Sequence, residues 1–247
     1  MRTLIAIPVF NEEKHLPRVL DAVRRFGRDV LVIDDGSTDG TAAHLASRRD
    51  VHVLRHAENR GYGQSLIDAF AFADRRGSDW VITLDCDEQH EPEQLPDFFR
   101  AIERDDADII SGSRYLCDFE GDDAPPEDRR RINHTVTELL CQVLNLRLTD
   151  SFCGFKAHRV SAMRRLRLDE PGYAFPMQFW PACVRAGLRI REIPVRRIYL
   201  DRARTFGGTL DDPSARLEHY LGVFVREIRR EPVLRLRDAA IRATCRR

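Results

Sequence analysis

The sequence lacks an excess of charge of either sign. Its 40 Lys and Arg residues are matched by 40 Asp and Glu residues, so the formal net charge is zero. Because nucleic-acid binders commonly carry a marked positive excess, this balance argues against a nucleic-acid partner. Any anion that the protein binds must be held by a local cluster of basic side chains.

Long apolar runs and paired cysteines are also missing. No apolar segment approaches the roughly 20 residues that a transmembrane helix needs, and the apolar start of the chain is too short for a signal peptide. The six cysteines include no CxxC pair and no histidine at zinc-ligand spacing. We therefore expect a reduced, cytoplasmic protein without a transmembrane segment, which meets a membrane only at its surface.

Apolar runs typical of buried strands alternate with segments of helical periodicity. The predicted strands are 3–9, 29–34, 51–54, 79–84, 107–111 and 189–195. The predicted helices are 12–26, one opening near 37–40, 61–76, 92–104, 129–146, 174–186 and 214–230. This order predicts a single α/β domain whose mostly parallel sheet is flanked by helices. Between the predicted strand 107–111 and the predicted helix 129–146, the glycine, prolines and acidic residues of 115–128 predict a mobile loop.

Acidic clusters directly follow two of the predicted strands. The pair Asp34 and Asp35 follows the second strand, and Asp85 and Asp87 follow the fourth. Ligands of parallel sheets bind beyond the carboxyl ends of the strands, so these side chains form a candidate site. Two carboxylates suit Mg²⁺ or Mn²⁺, with ligand phosphates completing the shell. Taken alone, each cluster has a simpler explanation, in which acidic side chains solvate a turn and Asp39 serves as a helix cap.

Arginines flank the predicted loop on both sides. Arg114 precedes it and 129–131 follow it. Guanidinium groups bind phosphate through two hydrogen bonds, so these residues are candidates for an anionic substrate. For Arg129 and Arg131 we favour a solvated helix face. The arginines of the tail either touch anionic lipid or belong to a frayed end; they are Arg235, Arg237, Arg242, Arg246 and Arg247.

Several short segments carry a family resemblance when they are taken in order. They are 8–12 (PVFNE), 34–40 (DDGSTDG), 59–63 (NRGYG), the Asp-x-Asp of 85–87, 111–115 (SGSRY), 150–156 (DSFCGFK) and 191–195 (REIPV). Together they resemble the family-two glycosyltransferases of the GT-A type. The likeness is greatest to the polyprenyl-phosphate sugar synthases typified by dolichol-phosphate mannose synthase.

The resemblance implies a Rossmann-like GT-A domain over 1–213. Its nucleotide-sugar half would span about 1–113 and its acceptor half about 114–213, with a helix and an arginine-rich tail over 214–247. The implied reaction is the metal-dependent, inverting transfer of a hexosyl group, mannose or glucose, from a GDP- or UDP-sugar to a polyprenyl phosphate at the membrane surface. Such a reaction belongs to cell-envelope glycan or glycolipid biosynthesis.

The resemblance also implies roles for individual residues. Those that would bind the nucleotide sugar are Pro8, Phe10, Glu12, Asp35, Gly36 and Asp85. Those that would hold Mg²⁺ or Mn²⁺ are Asp85, Asp87 and Gln89. Those expected to be catalytic are Asp87, Arg114 and Arg130, the two arginines serving the acceptor phosphate. A carboxylate at a strand end can accept both ribose hydroxyls, which is the role expected of Asp35.

The acceptor is less firmly indicated than the donor. Gln178 stands where relatives that act on hydroxyls usually supply a carboxylate base. A phosphate monoester is already largely dianionic at neutral pH and needs no base, so a phosphate acceptor is favoured. His134 and the loop at 202–212 depart from the family pattern. The acceptor's identity therefore stays open, as does the oligomeric state.

Two other functions remain open on the sequence. Transfer to a hydroxyl of a glycan or small molecule would recruit a base from the acidic loop, namely Asp118, Glu120 or Asp122. A receiver-like signalling module would also place acidic residues after strands, around a phosphoacceptor aspartate. The chain length and the second acidic cluster argue against a receiver.

Overall fold

The computed structural model describes residues 1–27, 29–87, 90–199 and 207–230. Its strands are β1 (Thr3–Val9), β2 (Val30–Asp34), β3 (His52–Arg55), β4 (Trp80–Thr83), β5 (Ile109–Ser113), β6 (Lys156–Arg159) and β7 (Ile190–Pro194). Its α-helices are α1 (Leu16–Arg24), α2 (Thr41–Ser47), α3 (Tyr62–Arg75), α4 (Leu95–Glu103), α5 (Glu127–Leu144), α6 (Val160–Met163), α7 (Phe175–Arg185) and α8 (Pro213–Arg230).

The strands of the described residues form one sheet in the order β3-β2-β1-β4-β6-β5-β7. Every neighbouring pair is parallel except those of β6, which runs antiparallel to β4 and to β5. The predicted α/β class with a mostly parallel sheet is confirmed. Strand β6 was not predicted, because the residues Lys156–Arg159 contain no apolar run that would indicate a strand.

Helices cover both faces of the sheet. Leu4 and Ala6 of β1 face a core formed with α3, α5, α7 and α8, whereas Ile5 and Ile7 face a second core formed with α1 and α4. A strand buried on both faces has no polar side to alternate with, which explains the continuous apolar runs of β1, β2 and β4. The inner face of α8 belongs to the first core, so this helix packs onto the same domain. The arginine-rich tail lies outside the described residues.

The segment 115–126 contains neither helix nor strand, as predicted, but it is tied down by side-chain contacts. After β7, the backbone N–H of Arg197 donates to Asp122 over 3.1 Å, and its side chain donates to the Asp123 carbonyl over 2.8 Å. The Arg197 guanidinium also pairs with Asp118. The chain that follows β7 therefore holds the loop against the carboxyl edge of the sheet.

Candidate active site

A cavity of about 390 Å³ lies at the carboxyl edge of β1, β2, β4 and β5. One half of its wall comes from the end of β1, from the loops after β1, β2, β3 and β4 and from the start of α3: Pro8, Val9, Phe10, Glu12, Asp35, Asn59, Gly61, Tyr62, Ser65, Asp85, Cys86 and Asp87. The other half comes from the chain after β5, from α5, α7 and α8 and from nearby loops: Arg114, Tyr115, Arg129, Ile132, Asn133, Phe152, Gly172, Tyr173, Pro176, Tyr199, Arg216 and Tyr220. We call these the donor half and the acceptor half, after the roles that the family resemblance implies.

The cavity brings together most of the residues that the sequence singled out. Those that line it are Pro8, Phe10, Glu12, Asp35, Asp85, Asp87 and Arg114. Gly36 and Arg130 are not among the lining residues, and Gln89 lies outside the described residues.

The loops after β1 and β2 hold each other in place. The Asn11 side-chain oxygen accepts the backbone N–H of Thr38 over 2.8 Å, and the Asn11 backbone N–H donates to the Ser37 hydroxyl over 3.0 Å. The backbone N–H of Glu12 donates to the Thr41 hydroxyl over 2.9 Å. This mutual bonding explains why the PVFNE and DDGSTDG segments occur together, since each loop satisfies the polar groups of the other.

Gly36 does not line the cavity, but it has a packing role beside it. Its φ is +74°, and a Cβ placed on it would lie 2.4 Å from the backbone carbonyl carbon of Glu58. Only glycine tolerates both the left-handed conformation and this close approach. Gly36 thus provides a close contact between two loops, and its expected nucleotide contact stays a prediction.

The two aspartates after β2 have different surroundings. Asp34 is fully buried and caps the turn by accepting the Ser37 N–H over 2.9 Å. Asp35 lines the cavity, and its carboxylate accepts hydrogen bonds from the His56 ring over 2.6 Å and from the backbone N–H groups of Arg60 and Gly61, each over 2.8 Å. A carboxylate offers about four acceptor positions. One position remains, so Asp35 can accept one ribose hydroxyl instead of the expected two.

Asp85 is oriented by residues that the sequence analysis did not assign. Its Oδ1 accepts the Tyr62 hydroxyl over 3.1 Å, and its backbone N–H donates to Nδ1 of His90 over 2.9 Å. Burial lowers the pKa of His90 to about 4, so its ring is neutral at neutral pH and Nδ1 can accept. Burial, followed by the charge of Asp85, raises the pKa of Tyr62 well above 10. Its hydroxyl therefore stays a donor.

The donor half contains carboxylates that fit a divalent cation. Asp85 and Asp87 both line it, and the intervening Cys86, which also contributes to the wall, is buried in the second core. Within the described residues, no group of three or more His, Cys, Asp or Glu could hold a metal ion by itself. Two carboxylates suit Mg²⁺ or Mn²⁺, which bind through one or two carboxylates and take other ligands from water and phosphate. The residues present therefore fit such an ion when a diphosphate is bound.

Gly154 leaves the space that the Asp85 carboxylate occupies. A Cβ on Gly154 would lie 2.4 Å from Oδ2 of Asp85 and 2.8 Å from the Tyr62 hydroxyl oxygen. Because real Cβ atoms do not approach so closely, the carboxylate would have to move. The position of the Asp85 carboxylate thus requires a glycine at residue 154, in the DSFCGFK segment. The two residues are 69 positions apart, and no sequence pattern connects them.

We expect Gly154→Ala to lower turnover by about ten- to a hundredfold, because a shift of about 1 Å in a reacting group has effects of this size. Steady-state rates at saturating substrates measure the loss. Gly222→Ala in α8 is the matched control, since a Cβ there meets nothing within 4 Å and alanine favours a helix by about 0.5–1 kcal/mol. Normal turnover in Gly154→Ala would contradict the role of this space.

In the acceptor half, Arg114 is held by a buried carboxylate. Its Nε and Nη2 donate to Asp150 over 2.7 and 3.1 Å, and its Nη1 donates to the Tyr199 hydroxyl over 3.4 Å. Burial alone would raise the pKa of Asp150, but the charge and hydrogen bonds of Arg114 outweigh it and lower the pKa to about 2. Two of the five N–H groups of Arg114 remain for a ligand.

Glu192 supports the same arrangement from β7. Its carboxylate accepts the backbone N–H of Thr149 over 2.9 Å and that of Asp150 over 3.1 Å. The REIPV and DSFCGFK segments therefore meet, and together they fix the loop that presents Asp150 to Arg114.

The second arginine at the cavity is not the expected one. Arg130 is exposed on α5, whereas Arg129 lines the cavity. Successive residues of a helix point about 100° apart, so adjacent arginines face different surroundings. Arg129 is thus part of the cavity wall and Arg130 is not, and the acceptor role expected of Arg130 stays a prediction.

Arg216 of α8 is a cavity residue that the sequence analysis did not consider. Its side chain is buried, and it donates to the Leu210 carbonyl over 2.9 Å and to the Asp128 carboxylate over 2.6 Å. Its position depends on the packing of α8 against α5 and α7. No local motif marks it.

Carboxylates are missing from the described lining of the acceptor half. Gln178 is fully buried and lies behind the wall, where its oxygen accepts the N–H groups of Asp169 and Glu170 and its nitrogen donates to Glu227. The acidic residues of the loop do not line the cavity either. The described part of this half therefore offers arginines and aromatic rings but no base for a hydroxyl nucleophile.

Residues 4–167 match the family model of glycosyl transferase family 2. Over 206 residues the chain is 35% identical to the undecaprenyl-phosphate mannosyltransferase of Micrococcus luteus, covering 79% of this chain and 83% of that protein. It is 30% identical to the polyprenol monophosphomannose synthase of Mycolicibacterium smegmatis, covering 78% of this chain and 76% of that protein.

Solved structures share the fold. Glucosyl-3-phosphoglycerate synthase from Mycobacterium tuberculosis, crystallised with Mn²⁺, UDP and glucosyl-3-phosphoglycerate, superposes with a TM-score of 0.67 at 18% identity, over 92% of this chain and 79% of that one. TarS from S. aureus in complex with UDP-GlcNAc gives 0.61 at 18% identity, over 92% and 66%. At these identities the likeness establishes the GT-A fold alone. Among the helices of the described residues, none is both long and apolar enough to cross a bilayer.

Proposed function

Because the chain belongs to glycosyl transferase family 2, we propose that it transfers a hexosyl group from a nucleotide-diphosphate sugar to a polyprenyl phosphate. The chain is a glycosyltransferase, and relatives at 30–35% identity over most of its length are named for polyprenyl-phosphate and polyprenol mannosyl transfer. Mannose is therefore the first sugar to test. A receiver-like module is ruled out by the family.

One observation carries the choice of acceptor. The acceptor half combines Arg114, Arg129 and Arg216 with aromatic rings, and the described part of its wall contains no carboxylate. Arginines suit the phosphate, since their guanidinium forks match its oxygens. Aromatic and aliphatic side chains suit the first isoprene units, because removing apolar surface from water is favourable in free energy. A sugar hydroxyl would need a base that this wall does not supply.

The donor half suits a nucleotide diphosphate. Phe10 is partly exposed at its edge and offers a flat apolar surface for a base, and Asp35 has one acceptor position for a ribose hydroxyl. The diphosphate would lie against Asp85 and Asp87, which would hold Mg²⁺ or Mn²⁺. That ion, when bound, neutralises charge that develops on the departing diphosphate.

The acceptor phosphate needs orientation more than activation. Asp150 holds the Arg114 guanidinium, so the remaining N–H groups of Arg114 are already oriented before the phosphate binds. Little conformational entropy of this side chain is therefore lost on binding. The dianionic phosphate then attacks the anomeric carbon without giving up a proton. A single displacement of this kind inverts the anomeric configuration.

The test compares donors and acceptors directly. The full chain is incubated with GDP-mannose, UDP-glucose or UDP-GlcNAc, with and without Mn²⁺, and with undecaprenyl phosphate, undecaprenol or a soluble glycan. We expect lipid-linked product with one donor only, in the presence of the ion and the lipid phosphate. Efficient transfer to undecaprenol or to the glycan would overturn the phosphate assignment and favour a hydroxyl acceptor.

A further inference from the structure

His56 lies behind the donor half and has no role in the function proposed above. It lies just after β3, and its buried ring sits between two carboxylates. Its Nδ1 is 2.6 Å from Oδ1 of Asp35, and its Nε2 is 3.0 Å from Oδ2 of Asp68, which belongs to α3. Arg60 contacts the same Asp68 oxygen over 3.4 Å. A chain of polar contacts therefore runs from the cavity, through His56, to the flank of α3.

The chemistry of this chain constrains the ring. Ionised carboxylates only accept hydrogen bonds, and a neutral imidazole carries one N–H. Both ring nitrogens of His56 lie within hydrogen-bond distance of a carboxylate oxygen, so contacts on two sides fix the orientation of the ring. Among the described residues, His56 is the one basic side chain in ion-pair distance of Asp35.

We propose that His56, anchored by Asp68, is the positioning residue of the donor site. Its role rests on the proposed function of Asp35 as a nucleotide contact. Two backbone N–H groups and His56 take the inner acceptor positions of the Asp35 carboxylate, which leaves the last one directed to the cavity. His56 thereby fixes the orientation of the Asp35 carboxylate.

The histidine at the start of β3 provides a comparison within the same strand. The His52 ring pairs with Asp29 over 3.1 Å through one nitrogen and is much more exposed than that of His56. Asp29 lies at the opposite, amino end of β2 and does not line the cavity. His52→Gln is therefore a matched control, which breaks a His–Asp pair away from the site.

The central test replaces His56 with glutamine. The new amide can donate to Asp35, but its oxygen then faces the Asp68 carboxylate. We expect the Kd of GDP or UDP, whichever binds the wild-type chain, to rise by about ten- to a hundredfold, as for the loss of a hydrogen bond to a charged group. The donor KM rises in parallel, while the acceptor KM and the kcat at saturating donor change much less. His52→Gln leaves these constants unchanged.

A second substitution separates positioning from packing. Asp68→Asn supplies an amide that can donate to the new oxygen in His56→Gln, so the chain of contacts is restored without charges. We expect the double variant to recover several-fold of the lost nucleotide affinity, whereas Asp68→Asn alone weakens it. A double variant with no recovery would mean that His56 only fills space, and would overturn the proposal. Thermal unfolding of each variant shows whether it is folded.

Two further measurements keep the proposal separate from the proposed function. In the ¹⁵N-labelled wild-type chain, NMR of the imidazole signal that disappears in His56→Gln should show a slowly exchanging N–H proton and should shift in Asp68→Asn; a fast-exchanging signal that Asp68→Asn leaves unchanged would overturn the proposal whatever the reaction is. Asp35→Ala should weaken nucleotide binding. If it does not, the donor role of Asp35 fails; if it does and His56→Gln binds normally, the role of His56 alone fails.

Discussion

Replacing Asp87 with asparagine is expected to lower kcat/KM by about a hundred- to a thousandfold, the size found when a group that stabilises transition-state charge is removed. Asp87 lies beyond the end of β4 on the cavity wall and not in either core, so the fold should be unaffected. The proposal that Asp85 and Asp87 hold the ion predicts that donor binding in this variant no longer responds to Mn²⁺. Titration of the nucleotide with and without Mn²⁺ measures that response.

The control for this change lies at the other end of the same strand. Asp79 precedes β4 and accepts the Arg2 backbone N–H over 2.7 Å, far from the cavity edge of the sheet. Asp79→Asn keeps an oxygen acceptor there and should turn over normally. Turnover in Asp87→Asn that stays close to the wild-type value and still depends on Mn²⁺ would remove Asp87 from the metal assignment.

Arg114→Ala is expected to have two effects that can be measured separately. The first is on stability, because Asp150 would be left as a buried charge without its partner, which costs about 3–5 kcal/mol. The second is on the acceptor: kcat/KM for polyprenyl phosphate should fall by about ten- to a hundredfold, the value of a hydrogen bond to a charged group. The Kd of the donor nucleotide should barely change.

The pair Arg114→Ala and Asp150→Asn distinguishes the two effects. The double variant removes the unpaired charge, so it should recover part of the free energy of unfolding while its acceptor kcat/KM stays low. Compared with Arg114→Ala, Arg114→Lys should restore only part of the acceptor kcat/KM. An ammonium keeps the charge but lacks the planar guanidinium that donates two hydrogen bonds to Asp150. If the double variant recovers acceptor kinetics together with stability, Arg114 acts only through folding and the acceptor assignment is lost.

The sequence could not predict which arginine at the start of α5 lines the cavity. Arg129 and Arg130 are adjacent in a run of three, and nothing in the run tells which one faces the substrate. The choice depends on the rotation of α5 about its axis, which is set by the packing of Ile132 and Val136 into the first core. A change of one residue along a helix rotates the side chain by about 100°, enough to exchange a cavity wall for solvent.

The sequence by itself determined the α/β class, most strands and helices, and the placing of Asp35, Asp85, Asp87 and Arg114 at one edge of the sheet. These features follow from local patterns, since apolar runs mark buried strands and parallel strands end at a common edge. Tertiary structure alone decided the partners of those residues. The His56 bridge, the pairing of Arg114 with Asp150 and the space left by Gly154 join residues that are 12 to 69 positions apart. Hydrogen bonds and close contacts of this kind leave no periodicity in the chain, because they depend on which loops the sheet brings together.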